Sequence, residues 1–273
     1  MKPTLVHFSE TAELFEGPIF DSKHKLLYFV SILDGLTFCY NPETKEILSI
    51  KLDSPSSNIY VIDFKKVLVA SKNGFYNIDF NTLKAEFAFQ IDIASNVRYN
   101  DGIEDPKGRY IIGTMGYPEV IGNIGKVYSY SNGISKVIIE NTTISNGLAF
   151  AADQKSLFFI DTPTQKVAKY HYDIETGDVN FDSYVIKFTN EGNPDGMTID
   201  KDGMLWIAEW NGYCVSQWNP NTGEKLNEIK LPYKNVTSCC FDNHSNLYIT
   251  TAKEEDVTEN NGSGLFYVEL NKF

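Results

Sequence analysis

Short apolar segments follow one another along the chain, and each is bounded by Asp, Asn, Gly or Pro. Aromatic and β-branched residues dominate them, as in "KLLYFVSI" (25–32), "RYIIGTM" (109–115) and "MLWIAEW" (204–210). Such segments are typical of β-strands. Hairpin-type turns such as "NPETKE" and "NPNTGE" separate some of them, and no stretch shows a convincing helical period over a dozen residues. The pattern predicts an all-β protein.

A longer period runs through these strands. An oxygen-bearing side chain recurs at intervals of 42, 42, 46, 49 and 42 residues, and an Asp follows five residues later in every copy but one. The six repeated positions are Glu16, Asn58, Asn100, Asn146, Asp195 and Thr237. Each copy of roughly 45 residues supplies about four short strands, the content of a propeller blade. We therefore expect residues 1–273 to form a single domain, a six-bladed β-propeller with four-stranded antiparallel blades.

The last copy of the repeat is one strand short. Only three strand candidates follow Thr237, whereas "TLVHF" (4–8) stands before the first copy. We expect this N-terminal strand to complete the last blade and close the ring. A β-sandwich is the alternative explanation of the spacing, although sandwiches seldom repeat over this length.

The repeat also predicts a ring of polar side chains. The first strand of each propeller blade lines a central channel, so the six positions should meet at one end of it. Carboxylate and amide oxygens are ligands that Ca²⁺ prefers, and Mg²⁺, Mn²⁺ or Zn²⁺ can also accept them. Taken singly, each position could instead form an Asx turn at a strand end. Gly17, Gly147 and Gly196 follow three ring positions and indicate unusual dihedrals or a close approach of the backbone there.

The positions of the histidines argue against two kinds of catalytic site, and the net charge argues against some kinds of partner. None of the four histidines falls in the ring register, which argues against a His-rich zinc site and a Ser-His-Asp triad. The formal net charge of −12 disfavours nucleic acid and anionic membranes as partners. No apolar run has the length of about 18 residues that a membrane helix needs, and the N-terminus lacks a secretory signal. The four cysteines include no CxxC pair, so we interpret them as reduced thiols of a cytoplasmic protein.

Four ordered segments carry a further signal. They are "EGPIFDSKHKLLYF" (16–29), "RYNDGIEDPKGRYIIGTM" (98–115), "ISNGLAFAADQKSLFFID" (144–161) and "PDGMTIDKDGMLWIA" (194–208). These segments resemble the signature blocks of the SMP-30/gluconolactonase/LRE-like family, and the resemblance runs through nearly the whole chain. It implies a six-bladed propeller with one divalent cation at the axis. By this resemblance Glu16, Asn146 and Asp195 are the metal ligands.

The resemblance also implies an activity, because members of this family hydrolyse lactones, typically sugar lactones such as gluconolactone. It places Asn100 beside the metal and Arg98 and Asp101 at the substrate. We expect the cation, with Ca²⁺ favoured, to polarise the lactone carbonyl and Asp195 to accept a proton from the attacking water. The segment after Met115 departs from the family, since Tyr117 stands near the place where animal members often carry an acid.

Two other functions remain open at this point. A non-catalytic, Ca²⁺-binding regulatory propeller would use the same ring carboxylates, although it would have no use for a substrate clamp around Arg98. The second open function is hydrolysis of another ester, or of an organophosphate, at the same metal. The expected partner is a small-molecule lactone, with no nucleic acid and no membrane, and the expected state is a monomer or a weak homodimer.

Overall fold

A computed structural model describes residues 2–189, 192–254, 257 and 261–270. These residues form 24 strands and one short 3-10 helix, Thr162–Thr164. The strands in chain order are β1 (Thr4–Ser9), β2 (Phe15–Asp21), β3 (Leu26–Ser31), β4 (Leu36–Tyr40), β5 (Ile47–Lys51), β6 (Ser56–Asp63), β7 (Lys66–Ser71), β8 (Gly74–Asp79), β9 (Lys84–Phe89), β10 (Val97–Glu104), β11 (Tyr110–Gly116), β12 (Gly125–Ser131), β13 (Ile134–Thr142), β14 (Ser145–Phe150), β15 (Ser156–Asp161), β16 (Lys166–Tyr172), β17 (Val179–Lys187), β18 (Asn193–Ile199), β19 (Leu205–Trp210), β20 (Cys214–Trp218), β21 (Lys225–Lys230), β22 (Asn235–Phe241), β23 (Leu247–Ala252) and β24 (Ser263–Val268). The all-β prediction is confirmed.

The strands form six antiparallel sheets of four, which we number as blades 1 to 6. Blades 1 to 5 are each built from four consecutive strands, beginning with β2–β5 in blade 1 and ending with β18–β21 in blade 5. Blade 6 has the order β22-β23-β24-β1. The first strand of each blade is the innermost. These innermost strands contact one another in succession, and β22 returns to β2. The prediction of a six-bladed propeller is therefore confirmed, and the sandwich alternative is wrong.

The N-terminal strand closes the ring as expected. Strand β1 pairs antiparallel with β24, so that Thr4 lies opposite Tyr267 and Ser9 lies opposite Ser263. Blade 6 is thereby built from both ends of the described chain. This pairing covers the edge of β24, which would otherwise present unpaired backbone groups to solvent.

The apolar core is divided among the six junctions between neighbouring blades. Tyr60 of blade 2 packs with Ile112 of blade 3, and Ile111 of blade 3 packs with Leu148 of blade 4. Strands inside a blade are covered on both faces, which explains why β3 reads as an unbroken apolar run with every residue buried. Full burial of one such side chain contributes about 1.5–3 kcal/mol. The same contacts therefore hold the blades in fixed positions around the axis.

In several blades, the Asp that follows the ring position by five residues shapes the turn at the other end of the innermost strand. Asp105, Asp200 and Asp242 each accept two backbone N–H groups of that turn. Blade 4 has Ala151 at this register, and Asp153 accepts two N–H groups of its turn instead. The exception in the repeat is thus compensated two residues later by the same Asx chemistry.

The four cysteines are free, in agreement with the expectation of reduced thiols, and all four are buried. In the ranges that the structure describes, no helix has the length and apolar character needed to cross a membrane.

Candidate active site

The six repeated polar residues all lie on innermost strands, near the end where each strand begins. Every innermost strand has a shift of register against its neighbour at this point. On β14, for example, the shift falls between Asn146 and Leu148. Such bulges change the direction in which side chains point. The six residues on these strands are Glu16, Asn58, Asn100, Asn146, Asp195 and Thr237.

Two ring positions serve the contact between blades. The backbone N–H of Gly102 donates to Asn58 Oδ1 at 3.0 Å, which ties blade 3 to blade 2. The hydroxyl of Thr237 donates to the Phe15 carbonyl at 2.6 Å, which ties blade 6 to blade 1. Because these two side chains bond to backbone groups of neighbouring blades and not to the predicted site residues, the candidate site is described through the other four positions.

Three of the predicted site residues are linked by hydrogen bonds. Arg98 Nη1 donates to Asn100 Oδ1 at 2.7 Å and to the Tyr99 carbonyl at 2.8 Å. Asn100 Nδ2 in turn donates to Asn146 Oδ1 and, at 3.0 Å, to the Ser145 carbonyl. The structure therefore brings Arg98, Asn100 and Asn146 together across the junction of blades 3 and 4.

Thr162 joins this group, although the sequence analysis did not single it out. Asn146 Nδ2 donates to Thr162 Oγ1 at 2.7 Å, and that hydroxyl donates to the Pro194 carbonyl at 2.7 Å. Thr162 begins the 3-10 helix after β15 and lies outside the innermost-strand repeat. The only sequence signal is the proline that follows it, since proline favours the first turn of a helix.

Burial and mutual repulsion perturb three carboxyl groups at the ring. Burial raises the pKa of Glu16 well above its ordinary value, and Asp101 and Asp195 raise it further. Burial also raises the pKa of Asp195, with Asp101 adding to the shift and Arg98 opposing it. For Asp101, burial raises the pKa to about 7 although Arg98 lowers it. One buried guanidinium thus faces three buried carboxyl groups, and negative charge would be in excess if all three were ionised, which is why their neutral forms are favoured.

The guanidinium responds to the same surroundings. Burial lowers the pKa of Arg98 to about 10, while Glu16 and Asp101 oppose that shift. The hydroxyl of Tyr117 is a further group whose charge would interact with Arg98. The segment after Met115, which departs from the family pattern, therefore comes close to the candidate site.

A cavity of about 620 Å³ runs along the axis and is lined by all six innermost strands. Asp101 faces this cavity together with Gly17 and Asn58. Its other lining residues follow the ring positions in sequence, so the cavity extends from the ring toward the far ends of the strands. A larger groove of about 1070 Å³ lies between blades 1 and 6 and includes none of the candidate site residues.

The donor atoms suit a hard cation. Glu16 and Asp195 offer carboxylates and Asn146 offers an amide oxygen, which are ligands for Ca²⁺, Mg²⁺ or Mn²⁺. Among the described residues, no three His, Cys, Asp or Glu side chains are placed so that they could hold one metal ion together, and the amide oxygen of Asn146 would complete such a ligand set. His7 packs against Phe15 in the blade core rather than at the ring. Excess negative charge in a buried place is costly, and a divalent cation would relieve it.

The chain is similar to known proteins in sequence and in fold. The model of the SMP-30/gluconolactonase/LRE-like region matches residues 14–253. Regucalcin of Xenopus laevis is 33% identical over 253 residues, covering 89% of this chain and 85% of its own. A Bacillus subtilis protein provisionally named a sugar lactone lactonase, YvrE, is 33% identical over 268 residues, covering 95% and 92%. The crystal structure of regucalcin from Agrobacterium tumefaciens, described as a calcium-binding protein, matches with a TM-score of 0.87 at 24% identity, covering 97% and 92%.

Proposed function

Since the chain belongs to the SMP-30/gluconolactonase/LRE-like family, we propose that it is a divalent-metal-dependent lactone hydrolase. A sugar lactone such as gluconolactone is the first substrate to test, because a relative is named a sugar lactone lactonase. The observation that carries the proposal is the group of three buried, interacting carboxyl groups beside one buried guanidinium at the axial ring. Of these four groups Asp101 lines the axial cavity, and perturbed titratable groups beside a cavity are typical of catalytic sites.

Glu16, Asn146 and Asp195 would hold the cation. When bound, the ion would supply a Lewis acid for the lactone carbonyl oxygen and for the negative charge that develops on it. Calcium is the favoured ion, since all three donors are oxygens and a relative is described as calcium-binding. Magnesium, manganese and zinc are the alternatives.

Side chains around the cation would supply the general base and the contacts to the substrate. Asp195 has a second carboxylate oxygen that can accept a proton from the attacking water, as a general base. Arg98 uses Nη1 for Asn100 and the Tyr99 carbonyl, and its other N–H groups are suited to a polar or anionic part of the substrate. Asn100 supports this clamp without adding charge. Asp101 would contact the substrate from the cavity side.

Replacement of Asp195 by Asn tests the proposal. Asp195→Asn removes the base and one anionic ligand, so gluconolactone hydrolysis should fall at least about 100-fold in kcat. Proton release can be followed with Ca²⁺, Mg²⁺, Mn²⁺ or Zn²⁺ in turn, and with a chelator. Asp202→Asn is the matched control, because Asp202 lies exposed in a turn of the same blade. Hydrolysis that persists fully in the chelator would contradict the metal-dependent scheme.

A non-catalytic Ca²⁺-binding propeller is the second candidate. The two buried carboxyl groups with raised pKa values favour it, because a bound cation would stabilise their ionised forms whether or not turnover follows. Calcium binding without hydrolysis of any lactone, other ester or organophosphate in a substrate screen would support this alternative.

We also propose that the partner is a small-molecule lactone, with no nucleic acid and no membrane, and that the protein is a monomer or weak homodimer in the cytoplasm. Four free, buried cysteines suit a reducing compartment. Size-exclusion chromatography with light scattering would measure the oligomeric state.

A further inference from the structure

A line of hydrogen bonds crosses blades 3, 4 and 5 at the ring, and it can run in only one direction. It starts at Arg98, whose guanidinium can donate but never accept. Asn100 must therefore accept with Oδ1, and its Nδ2 is left to donate to Asn146 Oδ1. Asn146 Nδ2 then donates to Thr162 Oγ1, whose proton goes to the Pro194 carbonyl. That carbonyl can only accept, so the line ends there.

This direction determines which end of the Asn146 amide faces which neighbour. The oxygen and nitrogen ends of an amide have nearly the same shape, so packing alone does not choose between them. A flipped amide would set two N–H₂ groups against each other at Asn100. It would also leave its nitrogen, which cannot bind a cation, where the oxygen now lies. Thr162 opposes the flip because its hydroxyl proton is already donated to Pro194.

The end of the line lies at a break in the sheet. The pairing of β18 with β19 shifts register after Pro194, and an irregular ladder leaves backbone groups open to other partners. Thr162 supplies such a partner for the Pro194 carbonyl. Pro194 is the residue directly before Asp195, so one hydroxyl contacts the Asn146 side chain and the backbone that carries Asp195.

We propose that Thr162 is a positioning residue for the cation site: its hydroxyl holds the Asn146 amide oxygen toward its partners at the ring and links Asn146 to the strand of Asp195. The inference rests on the proposed function, in that it takes Asn146 and Asp195 as ligands. Partners behind the ligands of metal sites typically change metal affinity by 10–100-fold.

The test measures binding of Ca²⁺ alone to the full chain by titration calorimetry, without any lactone. Thr162→Val keeps the shape of the side chain but removes the hydroxyl, and it should weaken Ca²⁺ binding at least about tenfold. Thr162→Ser keeps the hydroxyl and should bind Ca²⁺ nearly as the wild type does. Thr164→Val is the matched control, because Thr164 lies exposed in the same 3-10 helix and donates only to the Asp161 carbonyl.

Melting temperatures in chelator separate positioning from folding. Thr162→Val should melt near Thr164→Val when no metal is present. If Thr162→Val does not fold, Thr162→Ala removes the hydroxyl with less bulk and takes its place.

Each outcome decides the inference. Unchanged Ca²⁺ affinity in the Thr162→Val protein, or an equal loss in the Thr164→Val protein, overturns it. If the wild type binds no Ca²⁺, the titrations are repeated with Mg²⁺, Mn²⁺ and Zn²⁺, and a wild type that binds none of the four ions overturns the inference together with the metal-dependent part of the proposed function. The expected pattern of affinities without any lactone hydrolysis supports the inference while the lactonase proposal fails.

Discussion

At the scale of the residue, glycines let the innermost strands approach one another closely. Gly17 has a φ of +54°, a conformation that other residues rarely adopt. At Gly196 the constraint is space, since an added Cβ would lie 2.5 Å from Ser238 Cβ and 2.8 Å from Ser238 Cα. The expectation of special dihedrals or close approach after the ring positions is thus met in two different ways.

Gly196→Ala should destabilise the protein. The added methyl group would force blades 5 and 6 apart beside the ring, at a cost of about 1–3 kcal/mol. Denaturant unfolding would measure the difference from the wild type. Gly122→Ala is the control, because a Cβ at Gly122 would meet nothing within 4 Å. Equal stability of the two variants would contradict the close-packing argument.

The residues of the candidate site were predictable in part. The repeat placed all six ring positions on innermost strands because the order of the strands follows from the local apolar pattern. It could not show that the oxygens of Asn58 and Thr237 bond to neighbouring blades. It also missed Thr162, since that contact joins a residue outside the repeat to Asn146. Lateral contacts between blades depend on three-dimensional placement, which a periodic pattern does not encode.

At the scale of the element, the turn after β10 is clamped to the next blade. Arg109 Nε donates to Asp105 Oδ2 at 2.6 Å, while Nη2 donates to the Ile174 carbonyl at 2.6 Å. The hydroxyl of Tyr172 also donates to Asp105. Burial alone would raise the pKa of Asp105, but the bonds from Tyr172 and Arg109 lower it below its ordinary value. The charged form of Asp105 therefore stabilises the junction of blades 3 and 4.

Asp105→Asn should lower the free energy of unfolding by about 1.5–3 kcal/mol at neutral pH, because a hydrogen-bonded charge is lost. Because the pKa of Asp105 is lower in the folded state, its charge stabilises the fold at pH values above the pKa of the unfolded state, about 3.9. This stabilisation is lost as pH falls through the pKa of the folded state. The difference in the free energy of unfolding between variant and wild type should therefore become smaller below about pH 4. Urea unfolding at pH 7 and pH 3.5 would check this. Asp153→Asn, which affects the turn in blade 4 without a cationic partner, should show a smaller effect at pH 7.

Strands were easier to predict than their irregularities. The segments "RYIIGTM" and "MLWIAEW" correspond closely to β11 (Tyr110–Gly116) and β19 (Leu205–Trp210), because burial on both faces requires continuous apolar runs. The register shifts on all six innermost strands left no such signal. A bulge inserts one residue into a ladder without changing composition, so alternation alone could not locate it.

At the scale of the whole molecule, stability depends on the strand that joins the two ends of the described chain. Removal of residues 1–9 would expose the edge of β24 and leave blade 6 with three strands. We expect a lower melting temperature and aggregation through that edge. Light scattering during thermal unfolding would follow both effects. Removal of residues 1–3 alone, which precede β1, is the control and should leave the melting temperature nearly unchanged.

This closure has a consequence for biosynthesis. Strand β1 leaves the ribosome before the five blades that follow it, and its partner β24 emerges only after those blades have been made. Pairing between segments so distant in sequence is slow to form. Glu16 stands beside this seam, on β2 next to β22. A nascent chain would therefore carry Asn100, Asn146 and Asp195 for some time before the ring around them is complete, and the proposed cation site would be complete only after β24 has been made.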